Sequence, residues 1–567
     1  MSVIKKFLFV LCILNSLALV ADEKDDSGRV NVVNIMSNEE TGIAAYNKKN
    51  IHYAESLNLE KDLNISEVAK KFPCKTEIGM AFLAETLKTP VAPEDRDSVL
   101  VARQRAIKAL VKNPSLKKEV EALLEDAKNE ETQVIELMSE FFKGKTCPEL
   151  KALESIKKQS VLNYKIFRFL KINPIGRNVN FISNVASIPS MLGSMYFSKK
   201  AYRMSKFGGS DGVAFGFAVN LGIVGIFGSY DLYKDYMYAL DKRSKIHALN
   251  RLIVIAEAVE GLCGTYAIKS QFKISDIHED GQRLIQKLHH RRYRKNRSFF
   301  FYPPAVHNFL YELYELQTYL SHVFASIAEL DAYNAIATKI LESQNTRNKF
   351  CFVDFVDSEK PVVCAKTFWN VLVENAVPSS ISEDRQMILT GPNAGGKTTA
   401  IRALLQNVVL AQTFGIAAAE SFECTMFDVI HSYLNISDDL LNGLSLFASE
   451  VKRAQEILQS IKSLGPDKKY FFALDELFTG TSAEDGEKCA YEFVKRLASF
   501  DRVQFLYATH FDKLKELGDS SARCENYKVD APTKDENGKF VYPYTLSLGA
   551  SNVKIGLEIA QQANLFG

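Results

Sequence analysis

The pattern of hydrophobic and polar positions divides the chain into a helical part and an α/β part. Over residues 65–142 apolar positions recur at helical spacing, which predicts amphipathic helices on either side of a turn at Pro90 and Pro93. Residues 233–343 again show helical spacing, with charged and aromatic faces. From Phe350 onward, apolar strands alternate with helices, which is typical of an α/β domain. We therefore predict a helical bundle followed by an α/β domain.

Two long uncharged stretches interrupt the helical part. Residues 178–198 and residues 212–230 contain no Asp, Glu, Lys or Arg. Each stretch is long enough to cross a bilayer as a helix, so a transmembrane pair is one interpretation of a hydrophobic hairpin over residues 178–232. A buried, glycine-rich helical hairpin is the other interpretation.

The N-terminus has the pattern of an export signal. Lys5 and Lys6 precede an apolar run over residues 7–20, and acidic residues begin at Asp22. The run is short for a transmembrane helix, so residues 1–22 are predicted to be a signal peptide or an anchor segment. The polar residues 23–60 that follow show no strong period and are predicted to be a linker.

Composition and charge are those of an ordinary globular protein and exclude few classes of function. The chain has 567 residues, enough for several domains, with 47% hydrophobic and 24% charged residues. Its net charge of +2 gives no global polybasic character, so any nucleic-acid binding must come from a local patch. One basic run, Lys287–Arg297, is either a solvated helix face or a contact for nucleic acid or anionic lipid. The nine cysteines form no C-x-x-C pair and indicate neither a zinc site nor a disulfide scaffold.

A glycine-rich loop carries the clearest chemistry. The motif Gly391-x-x-x-x-Gly396-Lys397-Thr398 lies between an apolar strand and a helical run, which is the context of a phosphate-binding loop. Lys397 can reach the β and γ phosphates of ATP, and the Thr398 hydroxyl can hold Mg²⁺. The residues predicted to bind the nucleotide here are Gly391, Pro392, Asn393, Ala394, Gly395, Gly396, Lys397, Thr398 and Thr399.

Two further strand ends supply candidate catalytic groups. The apolar run that begins at Tyr470 ends in Asp475 and Glu476, which places both carboxylates at the carboxyl end of a buried strand. Asp475 is suited to Mg²⁺, and Glu476 is suited to polarising the attacking water. A third strand from Val503 leads to His510, which can sense the γ-phosphate and hold that water in line.

A segment between the first two motifs completes the pattern. Ser445 precedes a helical run and either caps that helix or helps its N-terminus to bind an anion. In this order, the motifs resemble those of the MutS family of DNA mismatch-repair ATPases. They are Leu-Thr-Gly-Pro-Asn-Ala-Gly-Gly-Lys-Thr over 389–398, Ser-Leu-Phe-Ala-Ser-Glu over 445–450, Leu-Asp-Glu-Leu-Phe-Thr-Gly-Thr-Ser over 474–482 and Ala-Thr-His-Phe over 508–511.

The resemblance reaches most of residues 60–560 and implies an architecture. Residues 61–177 and 233–345 would form the two halves of a helical core and lever, and residues 350–567 would form a P-loop ATPase domain. It implies a homodimer with two composite ATP sites, in which Ser445 reaches the γ-phosphate bound by the opposite subunit. Binding of ATP and Mg²⁺ would then move levers that, in the family, hold DNA.

Three departures from the family pattern limit that expectation. Only about 60 residues precede the core, so the family's N-terminal mismatch-reading domain is expected to be absent. The hydrophobic hairpin takes the place of the DNA clamp at the lever tips. Phe478 and Thr479 stand where the family usually has Gly-Arg.

The leading hypothesis is a membrane-associated, MutS-like ATPase that couples dimer closure to DNA binding in mismatch repair or a related DNA transaction. The alternative is a membrane-tethered scaffold or mechanical protein, switched by ATP, with no DNA role. A transporter-type ATPase is disfavoured because the segment Ser445–Glu450 lacks the Gly-Gly pair of such proteins. The ATPase domain is expected on the cytoplasmic side of a membrane, with export through the N-terminal segment left open.

Overall fold

The computed structural model describes residues 52–57, 59–142, 241–289, 313, 320–383, 385–434, 446–536 and 539–562. The predicted N-terminal signal segment and the hairpin over 178–232 lie outside these residues, as does most of the basic run Lys287–Arg297. Among the described residues, no helix is both long enough and apolar enough to span a membrane.

The helices alternate with strands only in the C-terminal part. The helices of the described residues are α1 Leu59–Leu63, α2 Ile65–Ala69, α3 Glu77–Lys88, α4 Val101–Lys112, α5 Pro114–Phe142, α6 241–265, α7 Glu279–His289, α8 Ser321–Ser343, α9 Lys397–Phe414, α10 Leu446–Leu464, α11 Ala483–Ala498, α12 Lys513–Ser520 and α13 Gly556–Gln562. Short 3₁₀ and π turns at Pro93–Asp95 and Arg96–Leu100 connect α3 to α4, as the prolines predict.

All the strands of the described residues except the first follow residue 350 in the sequence. They are β1 Glu55–Leu57, β2 Cys351–Phe352, β3 Asp354–Phe355, β4 Val363–Phe368, β5 Ser379–Glu383, β6 Gln386–Thr390, β7 Ile416–Ala417, β8 Ser421–Cys424, β9 Val429–Tyr433, β10 Tyr470–Asp475, β11 Val503–Thr509, β12 Cys524–Val529, β13 Thr533–Lys534, β14 Phe540–Val541 and β15 Leu546–Leu548. The predicted combination of a helical part with an α/β part is therefore present.

The described residues fall into two compact units. The smaller unit holds those within Thr132–Leu249 and His290–Glu315, where the Lys245 ammonium lies 3.2 Å from a Glu136 carboxylate oxygen. The larger unit holds those within Met36–Glu131, Asn250–His289 and Leu316–Gly567, and it contains all the strands.

A seven-stranded sheet forms the centre of the α/β part. Its strand order is β1-β9-β10-β11-β6-β12-β15, and every neighbouring pair is parallel except β12 with β15. All residues of β6, β9 and β11 are buried, as expected for parallel strands covered on both faces. A smaller sheet of order β3-β8-β4-β5 accompanies it.

The edge strand β1 corrects one prediction. A linker over residues 23–60 is wrong for its last residues, because Glu55–Leu57 pair in parallel with Val429–His431 and Leu59 begins α1. A three-residue strand is too short to show an alternating pattern, so the sequence carried no signal for it. The Asp62 carboxylate then accepts a hydrogen bond from the Leu434 N–H, 3.1 Å away, at the end of β9.

The helix α8 is the centre of the helical part. Most of its residues are buried all round its axis, and it packs against α3 and α4. Its buried Asp331 accepts hydrogen bonds from the backbone N–H groups of Lys75 and Thr76 and from the Thr76 hydroxyl at the start of α3. Asp331 therefore satisfies donors that a helix start leaves without an intrahelical partner.

The helix α9, which follows the glycine-rich loop, ends against the helical part. Gly415 ends it with a φ of +68° and lies too close to Gln104 for a larger side chain to be accommodated easily. The Gln104 amide donates 2.9 Å hydrogen bonds to the carbonyls of Val353 and Gly415. The buried Arg103 donates to the Thr413 carbonyl at 2.8 Å, where a cation also complements the C-terminal end of the helix dipole. One helix thus joins the loop to α4.

A second carboxylate at the start of α3 makes stability depend on pH. Glu131 accepts a hydrogen bond from the Glu77 N–H at 2.7 Å, and its other carboxylate oxygen is buried without a hydrogen bond to any described residue. Burial raises the pKa of Glu131 from about 4.5 to about 7, and the nearby Glu77 and Asp331 add to this rise. The folded state therefore binds this proton more tightly than the unfolded state.

We expect Glu131→Gln to remove that dependence. For the wild type, the contribution of this group to the free energy of unfolding falls as pH rises through the window from about 4.5 to about 7 and is constant above it. The Glu131→Gln variant should lack this loss. Between pH 5 and pH 8, its free energy of unfolding should therefore rise by about 2 kcal/mol relative to that of the wild type. Urea unfolding of both proteins at the two pH values measures this change. An unchanged difference between the two proteins at the two pH values would contradict a raised pKa.

Candidate functional site

The glycine-rich loop lies where the sequence predicts it. It connects Thr390, the last residue of the buried strand β6, to Lys397, the first residue of α9. Gly396 precedes the helix with a φ of +99°, and Ala394 also has a positive φ of +64°. Gly396 and Ala394 therefore adopt left-handed backbone conformations that favour glycine. The N-cap residue of α9 is Gly396, which has no side chain to cap the helix, so the first N–H groups of α9 are suited to bind an anion.

The register of the sheet places three strand ends side by side. The strand β11 lies between β6 and β10, with Thr509 opposite Thr390 and Ala508 opposite Asp475. The residue that follows β11 is His510. The groups predicted from separate motifs therefore meet at one edge of the sheet, outside the carboxyl ends of its strands.

The Lys397 ammonium lies at the centre of this group. Its Nζ is 3.0 Å from the Gly391 carbonyl, 3.1 Å from Nε2 of His510 and 3.5 Å from Oε1 of Glu476. The side chain is only 5% exposed. Burial lowers the pKa of Lys397, while the neighbouring carboxylates of Glu476 and Asp475 oppose that shift.

The Thr398 hydroxyl and Asp475 form a second contact. Oγ1 of Thr398 donates to Oδ2 of Asp475 at 2.6 Å. The other carboxylate oxygen, Oδ1, is buried and makes no hydrogen bond to a described residue. Burial raises the pKa of Asp475, and the hydrogen bond from Thr398 opposes this rise. A hydroxyl beside a buried carboxylate oxygen without a donor fits a hard divalent cation, because Mg²⁺ prefers oxygen ligands.

Glu476 and His510 form the third contact. Oε1 of Glu476 is 2.6 Å from Nε2 of His510. The hydrogen bond from His510 is the main cause that holds the pKa of Glu476 below its ordinary value, although burial acts against it. Both side chains remain about one-third exposed, at 36% and 37%, so water can reach this carboxylate.

Of the other residues predicted to bind the nucleotide, the structure describes those of the glycine-rich loop but not Ser445. The Thr399 carbonyl accepts a hydrogen bond from the Asn370 amide at 3.3 Å, Gly395 donates to the Pro392 carbonyl at 3.2 Å, and Asn393 is exposed on the loop. Ser445 lies outside the described residues, which resume at Leu446.

A pocket beside the loop was not predicted from the sequence. It has a volume of about 450 Å³ and opens next to Gly396 and Thr399. Its lining includes Trp369, Asn370, Val373, Ala376, Ala403 and Tyr544. The Tyr544 ring is 49% exposed and stacks on Tyr542 with ring centroids 5.8 Å apart. The lining is mainly apolar and includes three aromatic residues, Phe368, Trp369 and Tyr544, as expected for a site that binds a flat ring.

Nothing in the sequence pattern could have joined Tyr544 to the loop. About 150 residues separate them, and Tyr544 belongs to an irregular segment between β14 and β15 without a motif. Only the sheet, which brings β15 beside β12 and β12 beside β6, returns that segment to the start of α9.

The fold and site define a protein with a helical part and an α/β part whose glycine-rich strand–loop–helix faces two acidic residues and a histidine. Residues 387–566 match the family model described as MutS domain V. Through this C-terminal part the chain is similar to proteins of the MutS family.

Individual relatives show the same similarity. A 255-residue segment is 29% identical to the DNA mismatch repair protein MutS of Lactobacillus delbrueckii subsp. bulgaricus and covers 43% of this chain and 28% of that protein. The MutS protein of Lactobacillus acidophilus is 29% identical over 264 residues, 47% of this chain and 29% of its own length. The DNA mismatch repair protein MSH3 of Candida glabrata is 28% identical over 266 residues, 45% of this chain and 25% of its own length. The matched segments thus span less than a third of these relatives.

We expect Asp475→Asn to abolish an effect of magnesium on stability. In the wild type, ATP with MgCl₂ should raise the melting temperature more than ATP alone, since the cation adds binding free energy to the folded state. The amide keeps the size of the side chain but loses its charge, so MgCl₂ should add nothing further in the variant. Asp467→Asn, at an exposed position, is the matched control. An equal effect of MgCl₂ in Asp475→Asn and the wild type would contradict Asp475 as a ligand.

Proposed function

We propose that this protein is a MutS-like ATPase that binds ATP with Mg²⁺ and hydrolyses it to ADP and phosphate. The observation that carries the proposal is the convergence of Lys397, Thr398, Asp475, Glu476 and His510 at the edge of one sheet beside the glycine-rich loop. These five residues were predicted from three separate motifs, and together they supply the groups that phosphoryl transfer to water needs.

The loop and the pocket would divide the nucleotide between them. The backbone N–H groups of Gly391–Thr398 at the start of α9 would bind the phosphates, with Lys397 adding a positive charge. The pocket lined by Trp369 and Tyr544 opens beside the same loop and is suited to the adenine ring. This arrangement places the polar and apolar halves of ATP against surfaces of matching chemistry.

Thr398 and Asp475 would hold the magnesium ion. When bound, Mg²⁺ neutralises charge that builds up on the phosphate oxygens. The hydroxyl of Thr398 and the buried Oδ1 of Asp475 are the protein oxygens suited to it.

Glu476 would act as the general base. Its low pKa keeps it ionised at neutral pH, and its partial exposure allows a water molecule to reach it. The base would accept a proton from that water as the water attacks the terminal phosphorus. His510, whose Nε2 lies 2.6 Å from Oε1 of Glu476, would hold the base in position.

The dimer and its partner are part of the same proposal. Residues 350–567 would form the ATPase domain, and residues 61–177 and 233–345 the helical core and lever. Two copies would close on ATP, with Ser445 of each reaching the γ-phosphate held by the other. Residues 387–566 match the domain of proteins named for DNA mismatch repair, which supports a DNA duplex as the partner on which the levers act.

Association with a membrane is a further part of the proposal. It depends on residues 1–22 and 178–232, which lie outside the described residues. Fractionation of a C-terminally tagged protein with protease protection would decide both membrane association and the side on which the ATPase lies. Recovery entirely in the non-membrane fraction would contradict it.

We expect two substitutions to separate binding from hydrolysis. Lys397→Met should weaken ATP binding and abolish turnover, because it removes the buried cation at the loop. Glu476→Gln should retain ATP affinity but lower turnover by at least about 100-fold, the range lost with a general base. Phosphate release and equilibrium binding of a fluorescent ATP analogue measure the two quantities. Lys488→Met, an exposed lysine on α11, is the control; wild-type turnover in Lys397→Met or Glu476→Gln would contradict these roles.

A DNA-binding measurement separates the proposal from its rival, an ATP-switched scaffold with no DNA role. Duplex, mismatched and branched DNA should each be compared at about 50 mM and about 200 mM salt, because phosphate contacts make affinity fall with salt. We expect binding at low salt that weakens at high salt and changes when ATP is added. Absence of binding to all three DNAs at low salt would favour the scaffold.

A further inference from the structure

Glu450 connects α10 to the segment that follows the two site carboxylates. It lies in the second turn of α10 and is 1% exposed. Its Oε1 accepts hydrogen bonds from the Thr479 N–H at 2.9 Å and from the Thr479 hydroxyl at 3.2 Å, and its Oε2 accepts one from the Gly480 N–H at 3.0 Å. Both oxygens of one buried carboxylate are thus used to hold two consecutive residues of that segment.

The segment 476–480 has a strained backbone. Glu476 has a φ of +52° and Phe478 a φ of +71°, a left-handed conformation that these residues seldom adopt. Such conformations persist only where the surrounding contacts impose them, and they are frequent at functional sites. The position of the Glu476 carboxylate therefore depends on what holds residues 477–480.

Packing holds the first half of the segment. The Tyr507 hydroxyl donates to the Leu477 carbonyl at 3.1 Å, and the buried Phe478 ring packs against Phe493 of α11 with centroids 5.8 Å apart. The Phe478 carbonyl also lies so near Gly486 that a Cβ there would meet it at 2.3 Å.

The second half of the segment is held by α10. A Cβ on Gly480 would lie 2.7 Å from the Phe447 nitrogen and 2.9 Å from a Leu446 side-chain carbon, so the backbone there directly contacts the start of α10. Glu450 supplies the hydrogen bonds across this contact. Thr479 and Gly480 are otherwise exposed, so these bonds are the main polar attachment that the described residues provide to this half.

We infer that Glu450 is a positioning residue for the proposed general base: through Thr479 and Gly480 it maintains the strained turn that aims Glu476 at the phosphate-binding loop. The inference rests on the proposed function and extends it to a residue outside the nucleotide site. Ser445, which lies outside the described residues, directly precedes α10 in the sequence. The contact therefore links α10, which follows the residue proposed to reach the nucleotide of the opposite subunit, to the segment that carries the proposed general base Glu476.

The test uses Glu450→Gln in the full-length protein. The side chain keeps its size, but its NH₂ group faces one of the N–H donors, so the segment loses part of its attachment. We expect kcat to fall about tenfold to a hundredfold, with affinity for a fluorescent non-hydrolysable ATP analogue within about twofold of the wild type. Thr479→Val removes only the hydroxyl contact and should lower kcat less.

Two controls distinguish positioning from a general loss of structure. Glu456→Gln changes a carboxylate on the same helix that contacts Tyr433 and Arg453 but not residues 476–480, and its kcat should equal that of the wild type. In a Glu476→Gln background, adding Glu450→Gln should lower turnover by less than about twofold, because the group through which Glu450 acts is already gone.

The outcomes decide between distinct conclusions. Unchanged kcat in both Glu450→Gln and Thr479→Val would overturn the positioning role. Additive losses of turnover in the variant that combines Glu450→Gln with Glu476→Gln would also overturn it. A parallel loss of kcat, ATP affinity and melting temperature in Glu450→Gln would do the same. Wild-type turnover no higher than that of Lys397→Met would overturn the proposed function and the inference with it. The inference is supported if Glu450→Gln lowers kcat but retains ATP affinity, and if the same substitution causes no further loss of turnover in the Glu476→Gln background.

Discussion

Three parallel strands that end at the same edge of one sheet set the positions of the charged groups in the candidate site. The strand β6 leads into the glycine-rich loop, β11 leads into His510, and β10 ends at Asp475, with β11 lying between the other two. Neighbouring parallel strands lie about 5 Å apart, so side chains that follow them can touch. The loop also starts α9, whose other end is held by Gln104 of the helical part. The helix α9 therefore connects the loop to α4.

Burial and the neighbouring polar groups shift the pKa values of the site residues in opposite directions. Burial alone disfavours the charged forms of both Lys397 and Asp475, lowering the pKa of the first and raising that of the second. Glu476 has the opposite balance, because the hydrogen bond from His510 outweighs its partial burial. The two adjacent carboxylates are therefore in different environments: one is a buried oxygen donor suited to a cation, and the other is an ionised, accessible base. This difference supports separate roles for neighbouring residues of the same chemical type.

The sequence predicts those parts of the site that depend on short motifs. The loop, the acidic pair and His510 each follow an apolar strand whose length and composition are visible locally, and the parallel sheet that joins them is typical of an α/β pattern. The contribution of Tyr544 to a pocket depends on β12 and β15 returning an irregular segment to the loop, and no periodicity encodes this. The strand Glu55–Leu57 is too short to show a pattern. Glu450 lay within a recognised motif, but its partners Thr479 and Gly480 follow from tertiary packing alone.

The central claim is that ATP lies with its phosphates on the loop of residues 391–398 and its base in the pocket of Trp369 and Tyr544. Photolabelling with 8-azido-ATP in the presence of MgCl₂, followed by peptide mapping, tests this claim most directly. The label is expected in the peptides around residues 368–379 or 540–548, which contain residues that line that pocket, and excess ATP should prevent labelling. Labelling confined to other parts of the chain, or labelling that excess ATP does not reduce, would contradict it.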